Sequence, residues 1–566
     1  MYAYYKEIPA PEKYTVIFDT RGGDPMNSVT VSVIEKEPLP TWANHTFKGW
    51  YYDSAYNSKV SFPLSVTRAM TLYAKWEEQI TEITYTVSDG EITGIASAPE
   101  GELELVIPSE INGETITGLA FGAFANNKNI VKVTLPSTIK TIAGQSFRYC
   151  TALAEVNLPD TVVDIRPGAF EKCYALTSID LPESLDNIAQ NAFMESGLKS
   201  IKFPDTLKSV GAYAFGDCTS LAEADLGSVE TLDRGAFSGC TSLTSVIVPE
   251  TVKTTDHHIF TDCTQLADIK ILADNAYVYS SMVYGTAYYN NPENWTDGVF
   301  YVGKYLITAK FGEEKEYNPS LVTVKEGTTV ISAFAFDDCY KDNITSINLP
   351  STLLTIGESA FRDLAKLADI NIPDSVTRIG AAILDGTAIY NTDNSYWSDN
   401  GLYVGNYLIA AKRVAMSEFT VKDGTKLIAD GQLFGGYSSS VTSVNLPDSL
   451  EIIGTENFSD TSITEIVLPA NIRIISDEAF YFCSSLTSVD TSACARLKSI
   501  GYSAFAVCGI TSFYIPSSVT AVGEVVFNGN KNITVNCAAP SKPDGWHTDW
   551  SRNYSGTTTV NWGVQI

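Results

Sequence analysis

The stretch from Leu176 to Leu221, LTSIDLPESLDNIAQNAFMESGLKSIKFPDTLKSVGAYAFGDCTSL, states one pattern twice. Leu181-Pro182 returns as Phe203-Pro204, and Phe193 returns as Phe215. Moving outward, the apolar-Pro pair recurs at Leu135-Pro136, Leu158-Pro159, Val248-Pro249, Leu349-Pro350, Ile372-Pro373, Leu446-Pro447, Leu468-Pro469 and Ile515-Pro516. The aromatic phase recurs at Phe124, Phe147, Phe170, Phe237, Phe260, Phe336, Phe361, Phe434, Phe458, Phe480, Phe505 and Phe527, after interruptions in places. A fixed period of 22 to 23 residues marks a repeat architecture rather than one compact core.

Within a unit, Leu176, Ile179 and Leu181 alternate with Ser178 and Asp180, as in a half-buried strand that proline then stops. A second apolar pair such as Val162 and Ile165 leads into Ala169, Phe170, Cys173 and Leu176, whose spacing of three predicts a short helical or 3₁₀ turn on the outer side. One such coil cannot bury its own apolar face. Stacked coils can, so the expected fold is a curved solenoid with a continuous parallel sheet along one side.

Eight of the ten cysteines (Cys150, Cys173, Cys218, Cys240, Cys263, Cys339, Cys483 and Cys508) follow the repeat phenylalanine by three and so form one ladder. No CxxC pair supports a metal site, and parallel side-chain directions disfavour disulfides between rungs. The reading is a small, buried, apolar-like rung.

Two insertions, about 272–330 and 385–430, break the array and resemble each other, NWTDGVFYVGKYLITAK against YWSDNGLYVGNYLIAAK. Both predict hairpins with type II′ turns at Gly303-Lys304 and Gly405-Asn406. Their aromatic residues, including Tyr288, Trp295 and Trp397, either pack the hairpins onto the solenoid or present a binding surface. An N-terminal cap at 82–120 and a C-terminal cap at about 531–566 with Trp546, Trp550 and Trp562 are expected to close the array. Residues 1–13 form an N-terminal extension, 14–77 a separate small β domain, and 78–566 the solenoid.

The net charge is −28 over 566 residues, which repels phosphate backbones and anionic lipid, so neither nucleic acid nor membrane is an expected partner. Met1 opens onto YAYYKEIPAPEKY, where neither a spanning helix nor a signal peptide is legible. If the protein is exported, its leader is expected to have been removed. Four histidines (His45, His257, His258 and His547) form no HExxH or HxH cluster, and GxSxG, GxxxxGK[ST] and GxGxxG are absent. No catalytic, cofactor or metal residue is assigned.

The repeat LPxxxxxIxxxAFxxCxxL, over nearly all of residues 85–566, resembles the leucine-rich repeats of BspA-type surface proteins of bacteria and protists. VIFDTRGG, FKGWYYD and LYAKW within residues 14–76 resemble the Listeria-Bacteroides repeat, a module with a β-grasp-like fold. The resemblance implies an α/β horseshoe-type but β-rich right-handed solenoid, in an extracellular or cell-surface protein of a host-associated microbe that adheres to host matrix or other cells. Gly227 in place of proline, Leu384 in place of phenylalanine, and no LPxTG ending depart from the pattern and leave the anchoring open.

The outward strand positions are the expected partner-binding surface, because charges on a rigid sheet hold fixed spacing. They are Lys132, Glu155, Asp180, Lys202, Glu223, Asp225, Asp268, Lys270, Asp369, Asn371, Asn445, Glu465, Asp490 and Tyr514. Acid outweighs base among them, which calls for a protein with basic or polar patches, or one that is bridged by cations. The alternative is a glycan bound through Tyr288, Trp295 and Trp397 and the tryptophan-rich end. Hydrolysis by an accidental carboxylate pair is a third reading.

Overall fold

A computed structural model describes residues 10–311, 319–337, 343–392, 395–412, 414, 416–435 and 441–565. Cys339 and the first nine residues of the expected extension lie outside them.

Residues 14–78 build the separate β unit. Its sheet runs in the order Val29–Val31, Tyr14–Asp19, Met70–Glu78, His45–Tyr51, with the two middle strands parallel and the outer pairings antiparallel. Val16, Phe18, Trp50, Leu72 and Ala74 form a core of their own, and first and last strands lie side by side as in a β-grasp sheet.

The rest is a β-rich solenoid with parallel sheets, and the unbroken ladder is not at the Leu-Pro strands. It is made by the second apolar pair: Thr141–Ile142, Asp164–Ile165, Asn187–Ile188, Ser209–Val210, Thr231–Leu232 and Thr254–Thr255 stack as one six-stranded parallel sheet. The Leu-Pro strands pair only in short runs, Ser200–Lys202 with Glu223–Asp225 and Ser245–Val248 with Asp268–Ile271 among them. Proline lacks an N–H and leaves these strands about three residues to pair, so a coil that drifts slightly drops out of the ladder.

The phenylalanine segment is also not helical. Left-handed residues flank each ring two positions away, Gln145 and Tyr149 around Phe147, Gly168 and Lys172 around Phe170, Asn191 and Glu195 around Phe193. A helix needs consecutive negative φ angles. Alternate N–H groups serve two directions instead. Gly168, Phe170 and Lys172 donate to Gln190, Ala192 and Met194 of the next coil at 3.0, 2.7 and 2.8 Å, while Ala169, Glu171 and Cys173 close turns on Arg166, Gly168 and Phe170 within their own coil. Each left-handed non-glycine residue costs about 1 kcal/mol or more, and the gain is that every N–H of the turn is bonded. Among the described residues α-helix is confined to single turns at Ala287–Asn290 and Ala388–Asn391.

The rings themselves stack. Phe124, Phe147, Phe170, Phe193, Phe215, Phe237 and Phe260 follow one another with centroids 5.2 to 5.8 Å apart and nearly parallel planes. Phe434, Phe458, Phe480 and Phe505 repeat this at 5.0 to 5.1 Å.

Both insertions form the predicted hairpins, Val299–Val302 with Tyr305–Ala309 and Gly401–Val404 with Tyr407–Ala411. Gly303 and Gly405 each have φ 58°, and neither Lys304 nor Asn406 has a positive φ, as a type II′ turn requires. Residues 277–283, expected within the first insertion, hold a regular coil's place: Tyr277 bridges Thr254 and Met282 accepts from the Phe260 N–H at 2.7 Å. The irregular part therefore starts after Thr286, which caps its helix as Thr387 caps the equivalent one.

The hairpins are internal walls between three cores. In the first, Phe300, Val302, Tyr305 and Ile307 pack on the core that begins at Ile92, whereas Val299, Leu306 and Ala309 pack on the next. In the second, Leu402, Val404, Tyr407 and Ile409 face backward and Tyr403, Leu408 and Ala411 face forward. Strand alternation, with both faces apolar, produces this division. At the far end Trp546 and Trp550, both 2% exposed, cover the last coil beside Phe527.

Candidate partner-binding face

Four of the predicted charges come together. Asp180, Lys202, Glu223 and Asp225 line an open groove of about 580 Å³ with Ser178, Ser200, Ser245, Ile179, Ala224 and Ile247. Pairing of Ser200–Lys202 with Glu223–Asp225 sets Lys202 directly beside Asp225, and all four charged side chains are exposed. Among the described residues, neither Lys202 nor Asp180 forms an ion pair within the chain. Asp225 accepts the Gly227 N–H at 3.2 Å, a local bond that holds its carboxylate in place.

That bond also explains why Gly227 stands where the repeat usually carries proline. Its φ is +52°, and a Cβ there would lie 2.9 Å from the Phe203 carbonyl oxygen. Proline, fixed near a φ of about −65°, has no place in this turn.

The other charged candidates do not join the groove. Asp268 pairs with Lys270 at 3.5 Å on a neighbouring strand, Asp369 accepts the Tyr396 hydroxyl at 3.1 Å, and Asp490 accepts the Ser492 N–H at 2.9 Å. Hydrogen bonds from Ser492 hold the Asp490 carboxyl below its ordinary range. Lys132 and Glu155 form a 2.6 Å pair, with the Glu155 carboxyl lowered chiefly by that lysine.

The aromatic candidates are part of the hairpin walls. The Trp295 indole donates to the Tyr289 carbonyl at 2.8 Å and packs on Phe300 at 5.2 Å. Trp397 does the same with the Tyr390 carbonyl at 3.1 Å, and Tyr288 meets Phe300 edge-on at 5.8 Å. None of the three lines the groove.

The cysteine ladder holds a feature that a purely apolar reading missed. Cys150, Cys173, Cys218, Cys240, Cys263, Cys483 and Cys508 each donate Sγ–H to the phenylalanine carbonyl of the preceding coil, at 2.9 to 3.2 Å. Asn530 takes the same place and reaches the Phe505 carbonyl at 2.8 Å. The available signal was that this position otherwise holds Asn127, Ser196, Thr286, Thr387 and Thr461, all donors, with Leu364 the exception among the described residues. No group of three or more His, Cys, Asp or Glu side chains among the described residues is placed to hold a metal ion. His257 lies against the Tyr279 ring at 3.9 Å in the turn column.

Residues 117–196, 186–293, 315–400 and 402–534 match the BspA type leucine rich repeat region in six copies. The chain belongs to this family. Residues 14–75 of this BspA-type chain match the Listeria-Bacteroides repeat domain. A "putative membrane protein" of Evansella cellulosilytica is 32% identical over 110 residues, and a "putative Gly-rich membrane protein" of the same organism is 30% identical over 112. The chain matches only 17% and 13% of the length of these relatives, and the matches take in 19% of the chain itself.

Among solved structures, a leucine-rich repeat protein of Bacteroides ovatus is 21% identical, with 86% of this chain and 99% of that one covered and a TM-score of 0.36. A leucine rich cell surface protein of Faecalibacterium prausnitzii is 18% identical over 86% of this chain and 96% of that one, TM-score 0.33. The leucine rich repeat protein of T. pallidum is 33% identical over 33% of this chain and 87% of that one, TM-score 0.29. The BspA-type repeat proteins are a leucine-rich repeat family of bacterial surface proteins. Among the described residues of this member no helix is long and apolar enough to cross a membrane.

Proposed function

We propose that this chain is a non-enzymatic binding protein of the cell surface or extracellular space, which holds a protein partner on the Leu-Pro strand face. The observation that supports this is the gathering of Asp180, Lys202, Glu223 and Asp225 in one open groove, without ion pairs to one another. Charges on strands of a stacked array keep their spacing without help from the partner, so little ordering is needed on binding. Three carboxylates against one ammonium favour a partner with basic patches, as on matrix proteins or other cell surfaces. Glycan recognition has less support, because Trp295 and Trp397 direct their indole N–H groups to carbonyls of the chain.

The test is immobilisation of matrix proteins and mucins and measurement of binding by the full chain and by Asp180→Lys/Glu223→Lys/Asp225→Lys. Loss of binding in the variant, and weakening with salt, are expected. Unchanged binding by the variant, with loss on Trp295→Ala/Trp397→Ala instead, would move the function to the hairpins.

A further inference from the structure

The groove's charges alternate along the solenoid axis, one per coil: Asp180, Lys202, Asp225. Lys202 and Asp225 sit on hydrogen-bonded strands, which step by about 4.8 Å, and the phenylalanines of the same three coils, Phe193, Phe215 and Phe237, step by 5.3 and 5.2 Å in the core. An α-helix advances about 5.4 Å per turn. A helix lying along the axis therefore brings one side chain over each of the three coils and drifts by only about 0.6 Å or less per step. An extended strand does not, because its same-face side chains recur at about 6.7 Å and fall out of step by more than about 1 Å at every coil.

We infer that this groove takes an amphipathic α-helix of a partner protein, laid along the solenoid axis, whose facing side chains run basic, acidic, basic on successive turns. The inference rests on the reading that this face holds a protein. Charge complementarity sets the order: the basic groups face Asp180 and Asp225, and the acidic one faces Lys202. Side chains at i, i+3 or i+4, and i+7 supply that order from a single helix stripe. In the neighbouring column Ser178, Ser200 and Ser245 stay low, so a helix about 10 Å wide can approach, and Glu223 beside Ser200 adds a third carboxylate for the basic side chains. Beyond Asp225 the charged column is interrupted by Ile247, 51% exposed, which offers an apolar landing for the next turn before Lys270, itself paired with Asp268.

Three labelled peptides of about 21 residues, roughly six helical turns, test it by fluorescence anisotropy with the full chain. One carries Lys, Glu, Lys at helical spacing on an alanine-rich scaffold, one carries Glu, Lys, Glu there, and one carries Lys, Glu, Lys at alternate positions on a proline-broken scaffold that stays extended. The first is expected to bind about tenfold or more tighter than either other, a difference read directly as a ratio of Kd values. Asp180→Lys/Lys202→Glu/Asp225→Lys, three exposed substitutions, is expected to exchange the ranking of the first two peptides. If the extended peptide binds as well as the helical one and the triple variant abolishes both, the helix inference fails while the protein-binding face stands. If the triple variant changes none of the affinities, both fail.

Discussion

The thiol of Cys173 donates to the carbonyl oxygen of Phe147, one coil back, at 3.2 Å, and so ties the side-chain ladder to the backbone of its neighbour. The rung is thus selected for a small donor as much as for apolar bulk. Threonine and valine have the same shape and differ in the hydroxyl, so they separate the two demands. Cys173→Thr is expected to be more stable than Cys173→Val by about 1 kcal/mol, the net worth of one hydrogen bond. Urea unfolding of the two variants checks it, and an equal or reversed order would return the rung to packing alone.

The same burial controls the thiol chemistry. Desolvation raises the Cys150 and Cys494 thiols to about 12 and Cys218 to about 11. A raised folded-state value means that the folded chain keeps its proton where the unfolded chain has lost it. This contribution is complete below the unfolded thiol value of about 8.5 and is lost as pH rises toward 11 to 12. Stability measured in urea is therefore expected to fall between pH 8 and pH 10, with none of Cys150, Cys218 and Cys494 reacting with a disulfide reagent until the chain unfolds. Rapid labelling of any of these three cysteines in the native protein at pH 8 would contradict it.

Phe170 and Phe215 are fully buried and stacked on both neighbours. Replacing either with alanine empties one step of a shared column and is expected to cost about 3 to 5 kcal/mol. A melting temperature that does not move would show that the column closes over the gap.

Tyr305 closes the first wall. Its hydroxyl donates to the Ala273 carbonyl at 2.8 Å and accepts the Ala276 N–H at 3.0 Å, and Tyr407 repeats the donation to Pro373 in the second wall. Tyr305→Phe leaves both backbone groups buried without their partner and is expected to cost about 1 to 3 kcal/mol. Because the walls separate three cores, calorimetry is expected to resolve more than one unfolding transition, with Tyr305→Phe lowering the transition of the cores it touches. A single sharp transition in both proteins would show that the walls couple the cores rather than divide them.

Much of this architecture was legible in order along the chain. A period of 22 to 23 residues, the phenylalanine column, the cysteine column and the two hairpins with their glycine turns all depend on local chemistry that repeats, and repetition makes even weak local signals readable. The charged strand positions were legible for the same reason, since alternation assigns a face to each residue.

What only the tertiary structure decided is how coils meet. Spacing of three looks alike in a helix and in a turn with left-handed residues on both sides of Phe170, and the choice rests on N–H groups that find carbonyls 22 residues away. The same holds for the ladder, which settles on Asp164–Ile165 and its equivalents rather than on the Leu-Pro strands, and for Tyr305–Ala309, whose alternate side chains face two cores at once. Side-chain periodicity is written in each coil, whereas backbone hydrogen bonds between coils exist only after stacking, and they determine which charges share the groove.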